Sequence, residues 1–418
     1  ILIIWQIIMI VNLTTYVGWD PQQTLLSVIA RPQMQGWLHD YLSYDPNNLS
    51  LYYLFVFVKN FCSFVHLPFS MLVINYFNMI IIDIAFLFLI IAIKILTNSK
   101  TAPLFGLITI STLLGFSPWI IVTYTDTICL LPVSLGILSL ALLIKKSNYY
   151  AAVILGIAGS CSFFVKPSSC IYYIAAVIIL ITFQIIYKTW KNIPIILTTI
   201  LATFLVTSGL HFFNTHQTMY PIDPSLATSP TQYLMMGAQG NGGYNLQDVL
   251  SNINDPDKEN LPQKNLNEYF NRVQKMGIIG YPKFLINKFY WTNHDGSFGW
   301  GTEGGPDFIN QTTRPYSSNF GGLLRRFYWP LGDLSWAFYT LAQLIWITAT
   351  ILLVLSFQSI EELSLITKNW LYLSIIGANV FLLLFEAGRS RFLIQFLPVL
   401  IIVIANALDF LVSKSSDE

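Results

Sequence analysis

The chain has 418 residues, of which 54% are hydrophobic and only 10% charged, with a formal net charge of +1 at pH 7. Its mean hydropathy is +0.59. A soluble domain carries about 25% charged residues, so that class is excluded, and the near-zero net charge offers no basic footprint for nucleic acid.

Apolar runs recur along the chain, each of about 18 residues or more and therefore long enough for a hydrocarbon core roughly 30 Å thick. They predict an all-α polytopic membrane protein of about ten transmembrane helices. In chain order the predicted spans are 1–17, 70–97, 102–122, 125–145, 149–165, 169–187, 194–213, 336–356, 368–385 and 391–412. The first residue is Ile rather than Met, so the first span is expected to be cut short. No cleavable signal peptide and no internal repeat is read. Short loops rich in Lys and Arg favour the cytoplasm. Lys94 with Lys100, Lys145 with Lys146, Lys188 with Lys191, Lys368 and Lys414 all fall on one side if the spans alternate.

The opposite, external side then holds residues 18–69, the YTD turn, the KPSS turn, residues 214–335 and the EAGRSR turn. The stretch LSLYYLFVFVKNFCSFVH, 49–66, contains Lys59 and ends in His66 ahead of Leu67-Pro68. It is read as a helix at the outer interface rather than a span, with a second juxtamembrane helix over roughly 21–38. A true span over 49–66 is the alternative. Residues 214–335 form a mixed external domain, with NINDPDKENLPQKN as a solvated loop. The aromatic-rich FYWTNHDGSFGWGTEGG and RRFYWPLGDLSW suit an interfacial layer. The chain thus divides into a transmembrane core 1–213, an external domain 214–335 and C-terminal transmembrane helices 336–418.

Polar residues are costly at membrane depth, which makes those near its surface candidates for function. Asp20 follows the first span in VGWDPQQ. His39, Asp40 and Asp45 lie in WLHDYLSYDPNNLS, Asp126 in VTYTDTICLLP, and Lys166 in FFVKPSSC. Glu386, Arg389 and Arg391 lie in LFEAGRSRFLIQFLP. The carboxylates suit deprotonating or orienting a hydroxyl. The cations suit holding a phosphate, Arg as a planar fork and Lys as a point charge. Each also has a plainer reading. Asp20 before Pro21 is a common helix start, Asp126 serves equally as a helix cap, and Lys166 as a snorkelling interface residue. Glu386 could simply pair with Arg389 and Arg391. His39 and Asp40 are read as partners in acceptor binding, and Asp83, inside a span, as a hydrogen-bonded structural carboxylate. Cys62, Cys129, Cys161 and Cys170 have no metal spacing and are read as small hydrophobes. No GxSxG elbow, Walker loop, HExxH or Rossmann glycine set is present. QGNGGY, 239–244, is read as a loop at the membrane surface that contacts substrate.

These features together resemble the type-C (GT-C) membrane glycosyltransferases, the superfamily of protein O-mannosyltransferases and bacterial aminoarabinose transferases. The likeness rests on the Asp of VGWDPQQ after the first span, the juxtamembrane helices of the first external loop, and the second Asp in YTDT. The large external domain after seven core spans and the basic turn GRSRFLIQFLP complete it. YDPNNLSLYYLFVFVKNF is similar to the family's YPPL-type stretch, with Asn47-Asn48 where Pro-Leu is usual. In style the chain is most like an uncharacterised branch from low-GC Gram-positive bacteria.

The resemblance implies a cell-membrane enzyme with its active site on the extracellular face. It would move a sugar from a polyprenyl-phosphate donor to a cell-wall polysaccharide, teichoic acid or protein, inverting the anomeric centre. On this reading Asp20 is the general base and Asp126 positions acceptor or sugar. Lys166, Arg389 and Arg391 stabilise the departing phosphate, while Tyr244, Trp291 and Trp300 stack on sugar faces. A donor synthase and a flippase are implied partners, and a divalent metal, Mg or Mn, stays open. Two alternatives stand beside it: a lipid-linked glycan flippase, and a polysaccharide polymerase or ligase for which Arg325, Arg326 and His294 speak. A structural scaffold is disfavoured by the acidic and basic turns gathered on one side.

Overall fold

The computed structural model describes residues 1–188, 192–303, 308–310, 314–386 and 388–417, which form helices and connecting loops. Among the described residues the β content is one antiparallel bridge, Val17 to Ile309. Seven helices are long and apolar enough to cross a membrane: Met71–Thr97, Thr125–Lys145, Pro167–Tyr187, Ile193–His216, Ser335–Leu355, Leu365–Phe385 and Ser390–Lys414.

The other three predicted spans fold as shorter apolar helices, Leu2–Leu13, Ala102–Gly115 and Tyr149–Val165. At 1.5 Å per residue they cover about 18, 21 and 26 Å, so the long helices number seven, not ten. One cause is long-range and one is local. Residues after Leu13 leave the first helix to pair with residues 308–310. The second helix widens into a π turn over Ser111–Gly115 and then meets Pro118, which lacks an amide donor.

Small residues let the helices approach closely. Met71–Thr97 packs on Leu130–Lys145, which packs on Tyr149–Val165, which packs on Ile193–His216. Ala152, Gly156 and Ser160 recur every fourth residue on the third of these, the spacing that brings one helix backbone against another. A Cβ built on Gly156 would lie 2.5 Å from the Thr199 carbonyl oxygen and 2.8 Å from Ala202 Cβ. Ser160 Oγ donates to the Thr203 carbonyl at 3.1 Å. Gly156→Leu is therefore expected to destabilise the protein by about 1–3 kcal/mol, the usual cost of overpacking. Thermal unfolding in detergent measures it, and an unchanged midpoint would show that the helices do not meet here.

Hydrogen bonds gather the lysine-bearing turns at one end. Ser99 Oγ donates to Asp409 at 2.8 Å and Ser147 Oγ to Asn192 at 3.1 Å. The candidate site lies at the opposite end. There the first loop supplies two helices, Trp19–Ile29 and Leu49–Phe64, tied together by Lys59 Nζ donating to the Val28 carbonyl at 3.0 Å. The first stops at Ile29, earlier than expected, where Arg31-Pro32 starts a run of short turns. The second has 16 residues.

The segment 214–335, expected to be mixed, has helices as its regular elements among the described residues, joined by loops, with the single bridge at Ile309. It contains Pro230–Met236, Leu246–Asn254, Leu261–Asn293 and Phe320–Tyr328. NINDPDKENLPQKN is not one solvated loop, because Asn254 ends one helix and Leu261 begins the next. The residues between them are drawn tight by Lys264, which pairs with Asp255 at 2.9 Å and Asp257 at 3.3 Å. Asp83 accepts from Gln6 Nε2 at 3.0 Å, as a structural carboxylate should. All four cysteines are free thiols, three of them buried and Cys161 partly exposed.

Candidate functional site

The site begins where the first helix ends. Gly18 N donates to the Phe308 carbonyl at 2.8 Å, Asn310 N to that of Tyr16 at 3.1 Å, and Thr15 Oγ1 to that of Asn310 at 2.5 Å. This short clasp sets the direction of the next residue. Trp19 has φ +59°, the left-handed region that bulky residues rarely adopt. Such strain is held by surrounding contacts and concentrates at functional sites. The contacts here are the Phe308 ring at 4.7 Å and the guanidinium groups of Arg389 and Arg391, 5.4 and 5.1 Å from the Trp19 ring.

Asp20 follows at once and is half-buried. Its Oδ1 accepts from the Tyr41 hydroxyl at 2.6 Å and its Oδ2 from the Tyr124 hydroxyl. The Tyr41 hydroxyl in turn accepts from Asn48 Nδ2 at 2.8 Å. Burial, with Asp20 second, pushes the Tyr41 hydroxyl far up from its usual range. It therefore stays a donor to the carboxylate. Both carboxylate oxygens keep lone-pair capacity for a further partner.

Asp126 is fully buried at the start of its helix. Lys166 Nζ lies 2.5 Å from its Oδ1, and Arg391 Nη1 lies 4.0 Å from its Oδ2. The Lys166 turn is docked on the C-terminal basic turn by Ser168 Oγ, which donates to Gln395 Oε1 at 2.7 Å. The basic turn is itself pinned by Glu303, whose Oε1 accepts from Ser390 N at 2.6 Å and Ser390 Oγ at 3.1 Å. Burial pushes the Glu303 carboxyl up, against the pull of Arg391 and Arg389. Arg391 also sits over the rings of Tyr124, at 5.0 Å, and Phe392, at 4.9 Å. Its Nε and Nη1, like Asp126 Oδ2 and Glu303 Oε2, are buried with no hydrogen-bond partner among the described residues.

Beside this cluster lie two adjoining cavities of about 300 and 260 Å³ that share Asn241 and Trp291. Lys288 lines the first, and Arg389, Glu303 and His294 line the second. Asp45 lies near enough to Asp20 to feel its charge and accepts from the Tyr233 hydroxyl at 3.5 Å. Burial, and secondly the charge of Asp20, push its carboxyl up to about 7. The folded state then holds a proton that the unfolded state releases near its ordinary value. Asp45 is thus expected to favour folding most at low pH and to lose that contribution as pH rises through about 7. Asp45→Asn should flatten the dependence of Tm on pH between about 4 and 7, measured by thermal unfolding in detergent. A slope equal to that of the unaltered protein would assign the titration elsewhere.

Five of the residues expected from sequence, Asp20, Asp126, Lys166, Arg389 and Arg391, come together in this cluster. Glu386 is half-buried beside them, its carboxyl pushed up by burial and pulled down by Lys166 and Arg391. Trp291 lines both cavities. Tyr244 is exposed, and its hydroxyl feels Asp45 and Asp20.

Trp300 does not fit its expected role as a stacking surface. It is fully buried, its indole N–H donates to the Tyr328 carbonyl at 2.6 Å, and its ring meets Trp119. His39 and Asp40 are not part of the cluster either. Their side chains pair with each other at 2.8 Å, both more than 40% exposed. They lie in the turn before the helix Tyr41–Tyr44, whose first residue directs its hydroxyl at Asp20. Sequence reasoning missed Tyr41, Tyr124 and Glu303 as site residues. Tyr124, two positions before Asp126 in YTDT, had a local signal, whereas Glu303 had none.

Among the described residues the donors present do not fit a resident divalent metal. No group of three His, Cys, Asp or Glu able to hold an ion occurs among the described residues.

A family model described as "conserved hypothetical integral membrane protein" matches residues 1–411. No curated protein and no solved structure matches the chain.

Proposed function

The chain belongs to this family of conserved hypothetical integral membrane proteins, and on that premise we propose that it is a membrane glycosyltransferase. It would take a sugar from a polyprenyl-phosphate donor at the external membrane surface and pass it to an extracellular hydroxyl-bearing acceptor. One observation carries the reading: a half-buried carboxylate and two guanidinium groups meet around the same two rings. Asp20 adjoins Trp19 and is bonded to Tyr124, while Arg391 lies over both rings and Arg389 over Trp19. An acid beside a pair of cations suits a displacement in which a hydroxyl loses a proton while a phosphate leaves.

In that displacement Asp20 accepts the proton of the acceptor hydroxyl, whose oxygen attacks the anomeric carbon from the face opposite the phosphate. The bond from carbon to the phosphate oxygen breaks, and its electron pair leaves on the polyprenyl phosphate. Charge growing on that phosphate is met by Arg389 and Arg391, and such fixed charges are most effective where water is scarce. The Nε and Nη1 of Arg391, without a hydrogen-bond partner among the described residues, leave donors free for phosphate oxygens. Lys166 has a different part from the one expected of it. Its ammonium is committed to Asp126, so it neutralises that carboxylate and leaves phosphate contact to the arginines.

The test is sugar transfer by purified protein in detergent, where transport has no meaning, using a panel of radiolabelled polyprenyl-phosphate sugars and crude cell-envelope acceptor. Transfer from one donor is the expected result. No transfer from any donor, with specific binding of a lipid-linked oligosaccharide, would overturn it in favour of a flippase or polymerase.

A further inference from the structure

The helix Leu261–Asn293 changes character halfway. At Gly277 the backbone turns to φ +71°, ψ 179°, and the helical geometry breaks. Before it, apart from Pro262 and Phe270, the exposed side chains are polar, among them Gln263, Lys264, Asn267, Asn271 and Gln274. After it the pattern inverts. Ile278 is 93% exposed, Ile279 81% and Ile286 69%, and Pro282, Phe289 and Tyr290 are exposed as well. At 100° per residue these six fall within one arc of about 120°. The buried polar groups lie off this arc, with Lys288 donating to the Gly237 carbonyl at 3.0 Å and Thr292 to that of Lys288 at 2.9 Å, while the exposed Trp291 faces the cavities. Lys283 and Asn287, both exposed, border the apolar arc on one side.

The depth of this half-helix is fixed by its end. The Asn293 carbonyl accepts from Trp346 Nε1 at 2.7 Å and the His294 carbonyl from Gln343 Nε2 at 3.0 Å. Trp346 lies midway along the membrane-long helix Ser335–Leu355, roughly 16 Å from its start at 1.5 Å per residue. A chain segment that bonds a spanning helix at its middle cannot stand clear of the membrane. An apolar arc facing out from a polar interior, at that depth, matches hydrocarbon and not water.

We propose that residues 278–293 lie within the bilayer leaflet at the site's end of the molecule, their apolar arc against acyl chains. Gly277 marks the boundary, and residues 261–276 stand in water. The occupant of the arc is lipid hydrocarbon. The two cavities that share Asn241 and Trp291, the first lined also by Lys288, lie behind this helix, which makes it the wall between the leaflet and the charge cluster. The proposal does not depend on the transfer chemistry.

The test uses single nitroxide labels on the full chain in phosphatidylcholine nanodiscs, at Ile279→Cys, Ile286→Cys and Asn267→Cys, with the signal of the unaltered protein subtracted for its native thiols. Labels at 279 and 286 are expected to be open to dissolved oxygen and closed to a water-soluble nickel chelate, with the reverse at 267. Nickel access at 279 and 286 equal to that at 267 would overturn the proposal by placing the arc in water. Exclusion of both reagents would overturn it too, because the arc would then be covered by protein, a second copy or a partner. All three positions are exposed, so each labelled protein should unfold at the temperature of the unaltered one, which checks the fold.

Discussion

Asp20→Asn is expected to lower sugar transfer by about 10²–10⁴-fold, the range that a positioned general base supplies. The amide keeps the shape of the carboxylate. Its oxygen still accepts from one tyrosine, and the other tyrosine hydroxyl can rotate to accept from the new amine, as Tyr41 already does from Asn48. Proton acceptance alone is lost, so donor binding and the unfolding temperature should stay where they were. Tyr124→Phe separates geometry from basicity. It removes one of the two hydroxyl contacts to Asp20 and leaves the carboxylate in place, and transfer should fall by much less than in Asp20→Asn. Transfer unchanged in Asp20→Asn, with donor still bound, would remove Asp20 from the chemistry.

Lys166→Met is expected to be the most destabilising single change at the site, costing about 3–5 kcal/mol. It strands a carboxylate with no exposed surface. Asp126 Oδ1 has Lys166 at 2.5 Å, whereas its other oxygen has only Arg391, at 4.0 Å. The cost comes from the charge left behind more than from the bond removed. The double variant Asp126→Asn with Lys166→Met takes both charges away and should recover most of the loss. Thermal unfolding of the purified proteins in detergent reads both. A single variant as stable as the unaltered protein would show that Arg391 alone suffices for Asp126, and it would free Lys166 to meet a phosphate after all.

Much of the architecture could be read one segment at a time. Seven of the predicted spans lie on helices of membrane length, because hydropathy is a sum over a window and needs no knowledge of neighbours. One shortfall came where a neighbour intervened and another from a local break. The first helix ends early because Gly18 and Thr15 find partners at 308–310, far along the chain. The stretch 102–122 breaks at a π turn and a proline. The aromatic run that contains Trp291 and Trp300 looked uniform in sequence. Folding put one tryptophan on a cavity wall and packed the other against Trp119, a difference that composition does not encode.

By itself, then, the sequence determined that this is a helical membrane protein and that its acids and its Lys-Pro and Gly-Arg turns belong to one end. Both follow from the cost of polar groups in hydrocarbon and from the alternation of spans. Only the tertiary structure decided which charges meet. Asp126 was taken by Lys166, while Asp20 was left with two tyrosine hydroxyls and a pair of arginines across the Trp19 ring. It also decided that the second half of Leu261–Asn293 turns its isoleucines outward. Charge pairing and burial depend on distances of a few ångströms between segments remote in the chain. Those distances exist only after the helices have packed.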